Sequence, residues 1–326
     1  MSPESATDTE EIPIESPVFL MTPPRRDWTL QGRANFRSRT ADSVDAQAAR
    51  EEWSSLADAI VDAGGEVLVC PPNPRRNLTG MIYTAEAGEY YRDADGIRRF
   101  ILPNMAADHR RAEADWLGGF MTGLGLRCEA LEPTWEAQGD AIRGASPRDV
   151  IHTYGIGPDA RTDAASFEAV EGKLGDRELH LPFDADPWFH GNTFLNVYRK
   201  PDGDGGWRGL AVVCPEALSE DDFDRLVRFL GEETRQHCID REASLGYDTN
   251  SLQVGSTVIA PSTLSTETRR ALGAFGLTIF ELDLGELFSK GGGAPVCLTN
   301  RLWGLSADAL PDTRLWSAHP TLDAHV

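Results

Sequence analysis

The sequence predicts an α/β protein, and three observations carry that prediction. Short apolar strands alternate with single amphipathic helices, the connections are short, and no long linker interrupts the series. Two architectures fit this alternation. One is a parallel doubly wound sheet. The other is a closed array of small α/β modules around a central site, which calls for short hairpins that a doubly wound sheet does not need. No strand–helix turn carries a GxGxxG or GxxxxGK(S/T) pattern, so nucleotide binding has little support.

Taken in order, residues 1–16 (MSPESATDTEEIPIES) are polar and acidic and predict a disordered tail. They carry neither a basic stretch nor an apolar core, so they do not read as a secretory signal. Val18–Met21 is an apolar run ended by Pro23–Pro24 and reads as the first strand. Glu51–Gly64 carries Trp53, Leu56, Ala57, Ile60 and Val61 at helical spacing, and Gly64–Gly65 closes it. Glu66–Cys70 then reads as a strand stopped by Pro71–Pro72. Met81–Thr84 and Arg98–Leu102 predict two strands of a hairpin. His109–Gly123 predicts a helix, Leu126–Leu131 a strand, and Ala141–Ile142 part of another. Asp159–Leu174 fits a helix, with strands expected at Glu178–Leu181, Thr193–Tyr198 and Leu210–Val213. A helix near Glu220–Gly231, a strand at Gln253–Ile259, a helix at Ser265–Ala274 and a strand at Leu277–Leu282 complete the pattern.

Composition narrows the function. A chain of 326 residues holds one large domain or two ordinary ones. Its net charge of −21 disfavours nucleic acid, whose phosphates need clustered Lys and Arg, and disfavours anionic membranes. No run of 18 apolar residues predicts a membrane span. The five cysteines, Cys70, Cys128, Cys214, Cys238 and Cys297, are odd in number and contain no CxxC pair. Neither a disulfide scaffold nor a thiolate metal cluster is expected, and a reduced, cytoplasmic compartment is the simplest reading.

Three places look chemical. In GELFSKGGGAPVCLTN (285–300), a glycine run precedes Cys297. The glycines allow close backbone approach or positive φ, and Cys297 reads either as a nucleophile or as an ordinary buried thiol. His190, in DPWFHGNTFLNVY, sits where a loop enters a strand. It is either a proton-transfer group near neutral pH or a hydrogen-bonded loop histidine. Glu136 and Asp140, in TWEAQGDAI, flank a glycine turn and either bind a cation or form the turn. The remaining histidines show no HxH or HExxH spacing, so no metal site is expected.

Together these segments resemble the guanidine-modifying (pentein) superfamily of arginine deiminases, dimethylarginine dimethylaminohydrolases and amidinotransferases. FLMTPPRRDWTLQGRANF resembles its first strand and the following Asn segment, at Asn35. PPNPRRNLTGMIYTAEAG resembles PDxVFTxNxG, and ILPN with HRRAEADW resembles the next strand and helix start. WEAQGD resembles FEGxGD, and YGIGPDARTD resembles GxGxRT, at Arg161 and Thr162. FHGNTF resembles YHLDTxF, TNSLQVGSTVIAP resembles the penultimate strand, and the terminal segment resembles EFxKxGGxxxCLT. The order holds from about Val18 to Thr299.

The resemblance implies a five-bladed pseudosymmetric α/β propeller of ββαβ modules, with residues 17–326 forming one catalytic domain. It implies Cys297 as nucleophile, His190 as acid and base, Asp140 holding the guanidinium and Glu136 supporting it. Glu86, Asn35, Arg161, Asn192, Gly292 and Gly293 fall on substrate-binding positions. No cofactor or metal is implied, and the partner is a small guanidino or amidine substrate, with a homodimer possible in principle. The sequence departs from the pattern where Asn192 replaces the aspartate of HLD, Gly80 replaces the early acid and Glu86 replaces an asparagine. A hydrolase cleaving a guanidine C–N bond is therefore expected, acting on a modified guanidine in preference to free arginine. An amidinotransferase is the enzymatic alternative and a non-catalytic binding protein the other.

Overall fold

The computed structural model describes residues 16–32, 35–157 and 159–325, so nearly all of the expected acidic tail, residues 1–15, lies outside the described residues. The chain builds five separate three-stranded sheets, which excludes one continuous doubly wound sheet. Strand β1 (Val18–Met21) is followed by a short helix α1 (Phe36–Thr40), a long helix α2 (Ala46–Asp62) and strand β2 (Glu66–Val69), which runs parallel to β1. The second sheet holds β3 (Glu89–Arg92), β4 (Arg98–Leu102), helix α3 (Glu113–Gly123) and β5 (Arg127–Ala130). The third holds β6 (Ala141–Arg143), β7 (Asp149–Ile156), α4 (Ser166–Val170) and β8 (Arg177–Asp184). The fourth holds β9 (Leu195–Pro201), β10 (Trp207–Val213), α5 (Glu220–Leu230) and β11 (Thr234–Cys238). After a short helix α6 (Arg241–Leu245), the fifth holds β12 (Leu252–Val254), β13 (Thr257–Pro261), α7 (Thr266–Phe275) and β14 (Thr278–Leu282).

In sheets two to five an antiparallel hairpin is followed by a helix and a third strand parallel to the second. The first sheet lacks its leading strand in sequence. The far end of the chain supplies it: β15 (Asn300–Arg301) pairs antiparallel with β1, Leu20 opposite Asn300. All five modules are thus ββαβ units, and the last segment of the chain completes the first.

Local chemistry explains the elements. Asp45 caps α2 by accepting from the Gln47 and Ala48 amides at 2.8 and 3.1 Å, and Gly64 ends it with φ +89°. Between them Trp53, Leu56, Ala57 and Ile60 form one buried face, and Trp53 meets Trp316 edge to face at 5.2 Å. One core cluster joins this helix to β1, β2 and Cys297. A second runs through Ile151, Leu181, Phe194, Val212 and Leu272 of sheets three to five. Among the described residues no helix is long and apolar enough to cross a membrane.

Four expectations need correction. Met81–Thr84 is not a strand: Thr79–Ile82 and Thr84–Ala87 form two tight helical turns, and β4 pairs instead with β3. The Thr84 hydroxyl bridges the Leu20 and Leu298 carbonyls at 3.0 and 2.8 Å, which ties the segment between two modules and keeps it out of a ladder. Gln253–Ile259 is a hairpin bent at Gly255, φ +58°, and not one strand. The helix expected over Asp159–Leu174 covers only Ser166–Val170. Strands β3, β7, β11 and β15 were not expected; β7 is buried through Val150–Thr153 with the polar His152 and Thr153 breaking its apolar run, and β11 is mostly exposed and polar.

Candidate active site

Five modules lend the site one segment each, taken from just before the module's leading strand. Glu86 precedes β3, Glu136 precedes β6, His190 precedes β9, Asn250 precedes β12 and Cys297 precedes β15. Glu86, His190 and Cys297 line one pocket with Asn35, Tyr83, His109, Arg110, Arg161, Phe189 and Gly292. Side chains distant in sequence meet because equivalent positions of the modules point to a common centre.

The Cys297 segment begins with one turn of π-helix, Gly285–Lys290. The glycines that follow are required by close approach. A Cβ on Gly292, at φ +83°, would lie 2.5 Å from the Asn35 side chain, and one on Gly293 would lie 2.5 Å from the Tyr83 ring. The Gly291 carbonyl accepts from Asn35 Nδ2 at 3.0 Å and from the Tyr83 hydroxyl at 2.9 Å. Asn35 itself caps α1. Cys297 is buried, and Asn250 grips it twice: Nδ2 donates to Sγ at 3.1 Å and Oδ1 accepts from the Cys297 amide at 3.1 Å. Burial pushes the thiol up to about 11, partly offset by the Asn250 hydrogen bond.

His190 is buried between carboxylates. Its Nε2 lies 2.8 Å from Glu136 Oε2 and its Nδ1 lies 3.4 Å from Glu86 Oε1. Glu136 also accepts from the Ala106 amide at 2.9 Å and stands 3.8 Å from Arg161 Nη1. Burial alone would raise the Glu136 carboxyl, but the His190 hydrogen bond and the nearby positive charges outweigh it and hold the group below the usual range. Glu136 is therefore built to orient and charge-balance the imidazole.

Asp140 is placed differently from the expectation that it holds the substrate cation. It does not line the pocket. Its Oδ1 accepts from the Thr153 hydroxyl and the Gly191 amide, both at 2.9 Å, and its Oδ2 accepts from the Thr162 hydroxyl at 2.6 Å. With both oxygens occupied, Asp140 anchors the backbone beside His190. Asn192 also lies outside the pocket, in a second recess; its Nδ2 reaches the Gln138 carbonyl at 3.4 Å and its Oδ1 is buried without a partner. Gly293 packs behind Tyr83, while Gly292, Asn35 and Arg161 line the pocket as expected.

Three functional side chains were not singled out from the sequence. Asn250 was visible only as part of TNSLQVG. Tyr83 supports the glycine run. Arg110, from HRRAEADW, is buried and ion-paired to Glu86 and, at 2.8 Å, to Glu113; it also donates to the Gly80 carbonyl at 2.9 Å. A Cβ on Gly80 would lie 2.3 Å from Arg110 Nε and 2.4 Å from Glu113 Oε1. The space a side chain at position 80 would need is thus filled by this ion pair, and the spacing Arg110-x-x-Glu113 was its sequence signal.

Among the described residues, two groups have ligand-type atoms close enough together to hold a metal ion. Glu86, Glu136 and His190 form one within the pocket; His152, Glu178 and His180 form another on β7 and β8.

No protein-family model matches the sequence. The chain is 26% identical over 283 residues to an uncharacterized protein of Caenorhabditis elegans, covering 87% of this chain and 92% of that protein. It is 25% identical over 289 residues to N(G),N(G)-dimethylarginine dimethylaminohydrolase of Mycobacterium tuberculosis, covering 86% and 84%. Among solved structures, the N-terminal domain of ArgZ, an arginine dihydrolase from Cyanobacteria, superposes with TM-score 0.73 at 20% identity, over 88% of this chain and 98% of that domain. One of its structures holds a covalently bound reaction intermediate. A dimethylarginine dimethylaminohydrolase adduct superposes with TM-score 0.62 at 18% identity, over 88% of this chain and all of that one. In sequence over most of its length the chain is similar to a dimethylarginine dimethylaminohydrolase, and in fold it matches that enzyme and an arginine dihydrolase, consistent with the guanidine-modifying superfamily that its motifs resemble.

Proposed function

We propose that this protein is a cysteine-dependent hydrolase that cleaves a C–N bond of an arginine-like or modified guanidino compound. The observation that carries the reading is the shared pocket of Cys297 and His190, the one clamped by Asn250 and the other held between Glu86 and Glu136. Cys297, as thiolate, attacks the guanidine carbon to give a tetrahedral adduct. His190 donates a proton to the departing amine, leaving an S-linked thiouronium. It then takes a proton from the water that attacks that carbon, and collapse expels the thiolate and a ureido product. The acidic wall at Glu86 attracts the substrate cation, while Asn35, Arg161 and Gly292 shape its seat.

A single catalytic domain over residues 17–326, closed as a five-bladed propeller, fits this reading. The site draws on segments from Asn35 to Cys297, and β15 completes the first module.

The test is a product screen of the full chain with arginine and N-alkylated arginines, reading ammonia, alkylamines, urea and ureido groups. Cys297→Ala is expected to abolish turnover, and a chloroacetamidine reagent to label Cys297 in preference to the other four cysteines. Retained turnover in that variant overturns the mechanism. Capture of the amidino group by added glycine, lysine or ornithine in competition with water replaces hydrolysis by amidino transfer.

A further inference from the structure

Behind the wall of the reactive pocket lies a second recess of about 100 Å³, lined in part by Gln138, Asn192 and Thr299. Each of these stands two residues beyond a group that serves the reactive centre, Glu136, His190 and Cys297 respectively. The same three segments therefore face both cavities.

The recess is basic in an otherwise acidic protein. Arg143, Arg199 and Arg301 converge on the Trp303 ring, with guanidinium carbons 5.4, 4.8 and 3.8 Å from its centroid. Among the described residues they share one carboxylate within ion-pair distance, Glu89, 3.6 Å from Arg143 Nη2. Arg199 and Arg301 have none, and no hydrogen bond leaves the Arg301 guanidinium. Arg199 Nη1 and Arg143 Nε are buried without a hydrogen-bond partner. Three like charges are thus held together with one carboxylate at ion-pair distance, while Asp149 and Glu178 act on Arg199 and Arg143 from farther away, a costly arrangement unless something supplies more counter-charge. Burial and the mutual repulsion of the three groups push Arg199 and Arg301 below the usual arginine value.

We propose that this recess is a binding site for a small doubly charged oxyanion, a phosphate or dicarboxylate, held by Arg143, Arg199 and Arg301. Trp303 covers guanidinium faces, Arg143 Nη1 and Arg199 Nη2 donate to backbone carbonyls, and the Arg301 N–H edge, which makes no hydrogen bond in the protein, matches the oxygens of a carboxylate or phosphate in plane. Two guanidinium groups without a carboxylate at ion-pair distance match a dianion. A recess of about 100 Å³ has room for a small oxyanion. The net charge of −21 further opposes a polyanionic chain.

The test is isothermal titration calorimetry of the full chain with inorganic phosphate and, separately, malonate, at ionic strength held constant with sodium chloride. Saturable one-to-one binding of one of them is expected, and which one binds distinguishes the two sources of the chemistry. Arg301→Met is expected to weaken it about tenfold or more, since a hydrogen bond to a charged group is lost. Arg301→Lys is expected to fall between the wild type and the Met variant, since the charge stays but the planar, stacked pair of donors is lost. Arg301 makes no side-chain hydrogen bond in the protein, so the Met variant keeps the fold, which circular dichroism checks. Alkylating Cys297 is expected to leave the affinity unchanged, which separates this recess from the reactive pocket with its own Arg110 and Arg161. Absence of saturable binding by both anions, or affinity unchanged in Arg301→Met, overturns the proposal.

Discussion

Asn250→Ala isolates how the nucleophile is poised. Asn250 donates to Cys297 Sγ at 3.1 Å, and this bond works against a burial that pushes the thiol up to about 11. With that value, about one thiol in ten thousand is ionised at pH 7, a few hundredfold less than for a free cysteine of pKa about 8.5. A hydrogen bond to a charged group contributes about 1.5–3 kcal/mol, and one pKa unit is 1.36 kcal/mol. Removing Asn250 therefore raises the thiol by about one to two further units and lowers the thiolate fraction about 10- to 100-fold. The assay is alkylation by iodoacetamide, a neutral reagent, followed at Cys297 by peptide mass spectrometry because Cys238 is exposed and reacts too. Between pH 7 and 9 the rate should rise tenfold per pH unit in both proteins, with the variant's line displaced downward in parallel. A wild-type rate that levels off below pH 9, or superimposed lines, refutes the reasoning. The same ionisation deficit makes a cationic ligand more effective than a neutral one, because a positive charge beside Sγ favours the thiolate.

Two further outcomes follow from buried acids. Asp140→Asn turns one carboxylate oxygen into a donor facing Thr153 or Thr162 and leaves a buried donor without an acceptor, so stability should fall by about 1–3 kcal/mol in urea denaturation. Turnover should fall with it through the slackened Gly191 amide, and a variant as stable as wild type would show that these bonds do not hold the loop. Burial raises Glu89 from its ordinary 4.5 to about 7, despite Arg143 and Gln138 nearby. A raised acid stabilises fully below its ordinary value and loses that contribution as pH climbs through the folded value, here ~3 kcal/mol between pH 4.5 and above 7. Glu89→Gln should flatten the dependence of Tm on pH over that window, and an unchanged slope would assign it to other groups.

How much of this was legible in the sequence depended on range. Val18–Met21 and Arg98–Leu102 were delimited to the residue, because an apolar run bounded by prolines or polar residues is a local signal. Helix α7, capped by Ser265 and Gly276, lies within one residue of the expected Ser265–Ala274 at each end. The entry segments were less legible. Thr79–Ala87 is buried and apolar like a strand, yet its backbone serves contacts to β1 and to the Cys297 segment, which no local pattern announces. The polar strand β11 shows only one buried residue and so carries no apolar alternation. For the site, Cys297, His190 and Glu86 were found by motif order, and the structure brings them to one pocket. Motif order misled at Asp140, whose two oxygens are spent on hydroxyls and an amide, a matter of packing that spacing cannot express. Arg110 was missed for the converse reason: an arginine in HRRAEADW looks like an exposed helix start until the glycine at position 80 gives it space to enter the core.

That entry of Arg110 changes what the missing acids mean. An aspartate at position 80 could not simply be restored, because its Cβ would fall on Arg110 and Glu113. The position has been rewired and not just emptied: Arg110 sits between Glu86 and Glu113, and the three together carry one net negative charge at the pocket wall. Position 192 adds none, and Asn192 faces the other recess. The Glu86–Arg110–Glu113 cluster therefore supplies one carboxylate's worth of charge beside a pocket that Arg161 also lines. A guanidinium of arginine brings five N–H donors, and each one buried without an acceptor costs about 1–3 kcal/mol. Two alkyl groups on one terminal nitrogen remove two of those donors and leave the single positive charge intact. A substituted guanidine thus demands fewer acceptors for the same charge. If the chain is the hydrolase proposed above, donor count favours such a substrate over free arginine, and the product screen is expected to show an alkylamine in preference to ammonia; ammonia from arginine alone would refute the donor-count argument.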